Sequence, residues 1–232
     1  GNEMEKLKKV SPFRHSSLLR IQKDPKLALQ LFLNPNSNPK PKPFRHSLLS
    51  YDLIISKLGR AKMFAEMEQI VEQLKQETRF VPKEIIFCNI MTFYGRARLP
   101  DRAISMFDQI PSFRCQRTVK SVNTLLNSLL ICREFGKMRD IFVGIDQYAC
   151  PDVCTYNILI NACCLSNDMD DAWNVFDEMR RKGVFPNVVT FGTLINALCA
   201  NLELDKALRL KKYMVEKFNV KPNVFVYASL IK

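Results

Sequence analysis

Apolar residues recur along this chain three and four positions apart, in paired stretches closed by breakers. Between residues 153 and 187, Tyr156, Leu159, Ile160 and Cys163 repeat at i, i+3, i+4 and i+7. Ala172, Val175, Phe176 and Met179 do the same. That is the period of one helix face, so each stretch predicts an amphipathic α-helix. Ser166-Asn167-Asp168 parts the two stripes, while Lys182-Gly183 and Pro186-Asn187 part this pair from the next. A lone helical hairpin of this kind cannot bury its apolar face, so copies must stack.

The copies are visible. Val153–Asn187 spans 35 residues and Val188–Asn223 spans 36, and both share an aromatic, Leu-Ile-Asn-Ala and a closing Pro-Asn. A further copy opens at Val224 and stops at Lys232 within its first helix, which predicts that the natural chain continues. Upstream, Val119–Asp152, Glu84–Thr118 and Leu48–Lys83 follow the same plan with growing divergence. The expected fold is therefore an all-α solenoid of helix-turn-helix repeats at 48–83, 84–118, 119–152, 153–187 and 188–223, with a partial unit at 224–232. One more helix, at about Asp24–Leu33, opens on an Asp24-Pro25 cap and resembles the second half of a degenerate unit. Residues 34–43 (NPNSNPKPKP) read as a stiff connector, so 1–47 form a leader, a capping helix and a linker.

Composition narrows the class. Only 7 glycines occur in 232 residues, which argues against sandwiches, barrels and Gly-rich nucleotide folds. The net charge of +12 points to a polyanionic partner. Its distribution matters more: residues 1–47 hold 10 basic against 3 acidic residues, and residues 48–232 hold 25 against 20. Met4–Ile21 is basic, Ser-containing and poor in acid, in the manner of an organelle-targeting leader. The expected location is the mitochondrion, with the chloroplast as the alternative. Eight cysteines include no C-x-x-C pair and accompany only two histidines, so no metal site is expected and the thiols read as small core hydrophobes. No apolar run has bilayer-spanning length, so no membrane partner is expected.

The repeats resemble the pentatricopeptide repeat family, in its P-type form, over Leu48–Lys232. The resemblance rests on V-x-T-Y/F-N/G-x-L-I-N at Val153–Asn161 and Val188–Asn196, on Asp171-Ala172 leading to Phe176, and on the closing Pro-Asn. Tetratricopeptide repeats, the nearest look-alike, place their Gly, Tyr and Pro differently. The resemblance implies a right-handed superhelix that binds single-stranded RNA on the concave face of its first helices, about one base per repeat. In the family the fifth and last residues of a repeat meet the base edge, and the second packs against the base.

Carried over, the base-reading pairs are Asn123 with Asp152 (uracil), Asn157 with Asn187 (cytosine or uracil) and Gly192 with Asn223 (adenine), giving the core 5′-U-(C/U)-A-3′. The amide and carboxylate chemistry agrees, since Asn both donates and accepts whereas Asp only accepts. The sandwiching residues are Lys120, Cys154, Val189 and Phe225. Arg60 and Arg96, at the thirteenth position, are candidate phosphate contacts. Asp52 with Lys83 and Cys88 with Thr118 fit no base. Phe107, Phe142, Phe176 and Trp173 read as core between repeats. The implied function is sequence-preferring RNA binding in organelle RNA processing, stabilisation or translation. It is expected to involve no catalysis, cofactor or metal, and the protein is expected to be a monomer. The alternatives are a protein-interaction scaffold, or the RNA-binding part of a longer chain with a catalytic C-terminal domain.

Overall fold

A computed structural model describes residues 11–35 and 44–231. Residues 1–10 of the expected leader and 36–43 of the connector lie outside the described residues. Among the described residues all regular structure is helical, and the chain divides into two compact units, Gly1–Gln116 and Arg117–Lys232.

The first unit holds α1 (Pro12–Ile21), α2 (Pro25–Leu33), α3 (Leu48–Arg60), α4 (Phe64–Gln76), α5 (Glu84–Arg96) and α6 (Pro100–Gln109), with a short 3-10 turn at Ile110–Phe113. Asp24 caps α2 by accepting from the N–H groups of Lys26 and Leu27, and Pro25 sits where an N–H would lack an intrahelical partner anyway. No helix is expected from the sequence at Pro12–Ile21, yet one forms there, capped by Ser11. Its buried face is masked in the sequence because it includes His15 and Ser16 beside Leu19. Both α1 and α2 pack on α3. Farther along, α3 meets α5 closely at Gly59, where any Cβ would overlap the Phe93 ring.

The second unit holds α7 (Val119–Ile131), α8 (Phe135–Val143), α9 (Val153–Leu165), α10 (Met169–Arg181), α11 (Val188–Ala200), α12 (Leu204–Phe218) and α13 (Val224–Ile231), with a 3-10 turn at Ile145–Gln147. The first helix of each repeat packs on the next first helix, α7 on α9, α9 on α11 and α11 on α13. Phe176 and Phe191 are buried in one core with Tyr156, Ile160, Leu194, Ile195 and Met214, and Phe142 and Trp173 pack against it from the edge. Of the second-helix aromatics, Phe176 thus lies in the core, and Phe142 and Trp173 flank it half-buried.

Helices α7, α9 and α11 each run 13 residues from the opening residue of a repeat, as α3 and α5 do in the first unit. Their ends share one device. Lys62, Arg98, Arg133, Asn167 and Leu202 all adopt left-handed backbone, with φ between 58° and 61°. At Leu202 its own N–H bonds to the Cys199 carbonyl and the following Glu203 N–H to that of Leu198, the Schellman pattern that satisfies otherwise orphaned carbonyls. The turn fixes where each second helix departs, and with it the spacing of the first-helix face.

Candidate nucleic-acid interface

The last residue of each later repeat is also the N-cap of the next first helix. Thr118 caps α7, Asp152 caps α9 and Asn187 caps α11. Asn223 likewise accepts from the Val226 N–H at 3.0 Å, ahead of α13. The chain must turn there from extended to helical backbone, and a short side-chain acceptor satisfies the free N–H groups of the first turn.

Asp152 and Asn187 form full capping boxes with Thr155 and Thr190, each threonine hydroxyl accepting from the cap residue's own N–H at 3.1 Å. The same hydroxyls donate to the fifth residue of the preceding repeat. Thr155 Oγ1 lies 2.6 Å from Asn123 Oδ1, and Thr190 Oγ1 lies 2.5 Å from Asn157 Oδ1. Asn123 Nδ2 in turn donates to Asp152 Oδ1 at 3.0 Å, and Asn157 Nδ2 to Asn187 Oδ1 at 3.1 Å. Each expected base-reading pair with an Asn at position five is thus a closed three-residue network. Burial raises the Asp152 carboxyl, but hydrogen bonds from the Thr155 backbone, the Asn123 and Thr155 side chains and the Cys154 backbone outweigh it, leaving the group below its ordinary value.

These networks leave specific atoms uncommitted. Asn187 Oδ1 is fixed as the cap acceptor by the Val189 and Thr190 N–H groups at 3.1 and 3.2 Å, so its Nδ2 is the free end, a donor. Asp152 takes its bonds from Asn123 and Thr155 on Oδ1, and as a carboxylate it has only acceptors to present to a base. Asn157 itself is buried at 8% exposure. The third pair is built differently. Gly192 is buried under the Phe225 ring, whose Cδ1 stands 3.1 Å from where a Cβ would lie. Asn223 is exposed.

Lys120, Cys154, Val189 and Phe225 all project from the first turns of their helices and are exposed. Between Cys154 and Val189 lies a cavity of about 300 Å³, lined by Asn157 and Asn187 and also by Asn127, Ile158, Asn161 and Thr193. Cys154 is therefore no core thiol, and Cys150 is exposed too. Cys88 and Cys115 are buried, as the sequence pattern expects. Burial pushes the Cys163 thiol up to about 12, aided by the neighbouring Asp171 carboxylate, and Cys164 to about 11.

In the first unit Arg60 and Arg96 are exposed in the last turns of α3 and α5. The corresponding positions of the second unit are Ile131, Leu165 and Ala200, so cations at this register belong to the first unit alone. Burial raises the Asp52 carboxyl, against the opposing charges of Lys83 and Arg60 and a hydrogen bond from Ser56. Cys88 is buried, with no amide or carboxylate to offer a base.

Thr155 and Thr190 escape a reading from the sequence alone, although the signal is present as the T of V-x-T-Y/F. Asn127 and Asn161 escape it too, as the N of L-I-N or its equivalent.

A model of the PPR repeat family matches residues 151–200 and 186–232, and a PPR repeat model matches residues 85–115. A pentatricopeptide repeat-containing protein of Arabidopsis thaliana is 56% identical over 232 residues, covering 99% of this chain and 49% of the relative. The chain belongs to the pentatricopeptide repeat family. It spans about half the length of such relatives. Another Arabidopsis relative, 30% identical over 75% of this chain and 44% of its own length, is the small ribosomal subunit protein mS78. Among solved structures, the pentatricopeptide repeat protein PPR10 in complex with an 18-nt psaJ RNA element matches with a TM-score of 0.70 at 20% identity, covering 96% of this chain and 32% of PPR10. That likeness establishes the shared all-α repeat fold.

Proposed function

We propose that this pentatricopeptide repeat chain binds single-stranded RNA with sequence preference, one base per repeat along the first helices of the second unit. The observation that carries the reading is the cavity between Cys154 and Val189, which has the Asn157–Asn187 pair in its lining. A base entering it meets an apolar or thiol side chain on either side and the free Asn187 amide donor at its edge. Asn123 with Asp152 offers the carboxylate acceptor instead, suited to the N3–H of uracil. Gly192 with Asn223 reads adenine in the next repeat, beside Phe225. The preferred core is 5′-U-(C/U)-A-3′.

Lys120, exposed at the second position of its repeat, contacts phosphate there. Arg60 and Arg96 supply phosphate contacts on the first unit, whose own repeats match no base. The chain acts as a monomer by occupying RNA, without chemistry of its own, in organelle RNA processing, stabilisation or translation. Relatives named as mitochondrial support the mitochondrion as its location over the chloroplast.

Titration against single-stranded RNAs carrying UCA, UUA and scrambled cores, at two salt concentrations and beside matched DNA, tests this reading. Preference for the UCA and UUA cores is expected, and Asn123→Thr with Asn157→Thr is expected to move the preference towards purines. Equal binding of scrambled RNA removes the base-reading part.

A second reading is favoured by one observation, that several relatives are named as ribosomal subunit proteins. In it the chain is a scaffold bound to protein. Absence of RNA binding together with capture by a protein complex supports that reading over the first.

A further inference from the structure

The reading pair accounts for only part of the cavity in the 153–187 repeat. Asn127 on α7 and Asn161 on α9 also line it, each at the ninth position of its repeat. Among the described residues neither amide makes a hydrogen bond to protein, whereas Asn196, at the same register of the next repeat, accepts from Ser229 Oγ at 3.1 Å. Asn161 is half-buried, and no Lys or Arg lines the cavity. Its lining is therefore polar but uncharged, apart from the apolar side chains that would flank a base.

Position fixes what such an amide can reach. Asn161 follows Asn157 by four residues on one helix face, about 6 Å along the axis. With a base edge held at Asn157 and Asn187, that offset is roughly the span from a pyrimidine's pairing edge to its own ribose. The group presented there in RNA is the 2′-hydroxyl, which donates and accepts, as a carboxamide does. A phosphate in the same place would find no cation.

We propose that Asn161, with Asn127 on the neighbouring helix, hydrogen-bonds the ribose 2′-hydroxyl of the nucleotide seated between Cys154 and Val189, and so selects RNA over DNA at that nucleotide. This rests on the RNA-binding reading above. It adds to that reading a sugar-sensing residue distinct from the base-reading and sandwiching positions.

The test is a double-mutant cycle on the whole chain. One partner in the cycle is the protein, wild type or Asn161→Leu, with Asn161→Ala as a second variant should the bulkier side chain disturb folding. The other is an RNA with a UCA core, all ribose or with a single 2′-deoxy nucleotide placed in turn at each core position. The deoxy substitution at the middle nucleotide is expected to weaken wild-type binding about fivefold, the worth of one net hydrogen bond. Asn161→Leu is expected to bind the all-ribose RNA about fivefold more weakly and to show no further loss on deoxy substitution. Equal deoxy penalties in wild type and variant overturn the proposal, as does wild-type binding that ignores the 2′-hydroxyl at the middle nucleotide. Those outcomes leave RNA binding itself intact. Failure of the wild type to bind any of the RNAs overturns the RNA reading, and the proposal with it.

Discussion

Asn157 Nδ2 donates to Asn187 Oδ1 across 3.1 Å, and both oxygens of the pair face a single hydroxyl, that of Thr190. The hydroxyl has one proton and gives it over the shorter path, to Asn157. The cap oxygen of Asn187 is left to the backbone N–H groups of α11. Replacing Thr190 by Val keeps the shape and removes the hydroxyl. The expected cost is about 1 kcal/mol of stability, from a weakened capping box and an unpaired buried amide oxygen. Urea denaturation of Thr190→Val measures it. Under the RNA-binding reading, affinity for the UCA core falls as well, because Asn157 is no longer held.

Acid is expected to loosen the N-terminal end of the first unit. His46 stacks on Phe32 at 3.7 Å between ring centroids, and the His15 ring lies 5.2 Å away. Its Nδ1 is buried without a hydrogen-bond partner. Burial, then the nearby His15 and Arg79 charges, hold its pKa at about 4, against a smaller opposing effect of Glu77. Burial also lowers His15, against a bond to the Leu31 carbonyl. Because the unfolded chain binds protons to these rings near pH 6.5 and the folded chain does not, stability is full above that pH and falls as pH drops towards 4. The loss expected from His46 alone is about 2 kcal/mol between pH 7.5 and pH 5. Denaturant midpoints across that range read it directly. His46→Phe, which keeps the stack, is expected to flatten most of the slope.

Leu202 is the misfit among the left-handed turn residues. It is 92% exposed and β-carbon crowding opposes its φ of 61°, so its side chain gives little in return for the strain. Leu202→Asn or Leu202→Gly is expected to stabilise the second unit by about 1 kcal/mol, read as a rise in melting temperature of about 2 to 4 °C. Asn167, the equivalent residue one repeat earlier, already has that chemistry.

Gly59 permits the close approach of α3 to α5. Gly59→Ala places a methyl group on the Phe93 ring, and the expected destabilisation is about 1 to 3 kcal/mol despite alanine's better helix propensity. Calorimetric melting checks the sign, which propensity alone would predict the other way.

The fold was legible because repetition multiplies weak signals. Tyr156 and Phe191 mark the same register of two first helices, and the breakers at Ser166 and Pro186 bound one copy. α1 was not legible, since its buried face is part histidine and serine, and only packing against α3 shows those residues to be interior. Ser16 Oγ lies 2.9 Å from Ser50 Oγ, and His15 Nδ1 lies 3.4 Å from the same hydroxyl. At the candidate interface, register singles out Asn123, Asp152, Asn157 and Asn187. It does not reveal the threonine that binds each pair, because that contact crosses from one repeat into the next.

That crossing has a consequence for how such arrays can be cut and rejoined. The hydroxyl that steadies a repeat's fifth residue arrives with its neighbour: Thr155 serves Asn123 and Thr190 serves Asn157. After the 188–223 repeat the equivalent residue is Val226, and there the fifth residue is Gly192, which has nothing to hold. A repeat grafted behind Asn187 therefore inherits an obligation to the segment before it. Shuffling at the nominal boundary exchanges half of a contact, and a transplant that keeps it whole must carry at least the first three residues of the following unit.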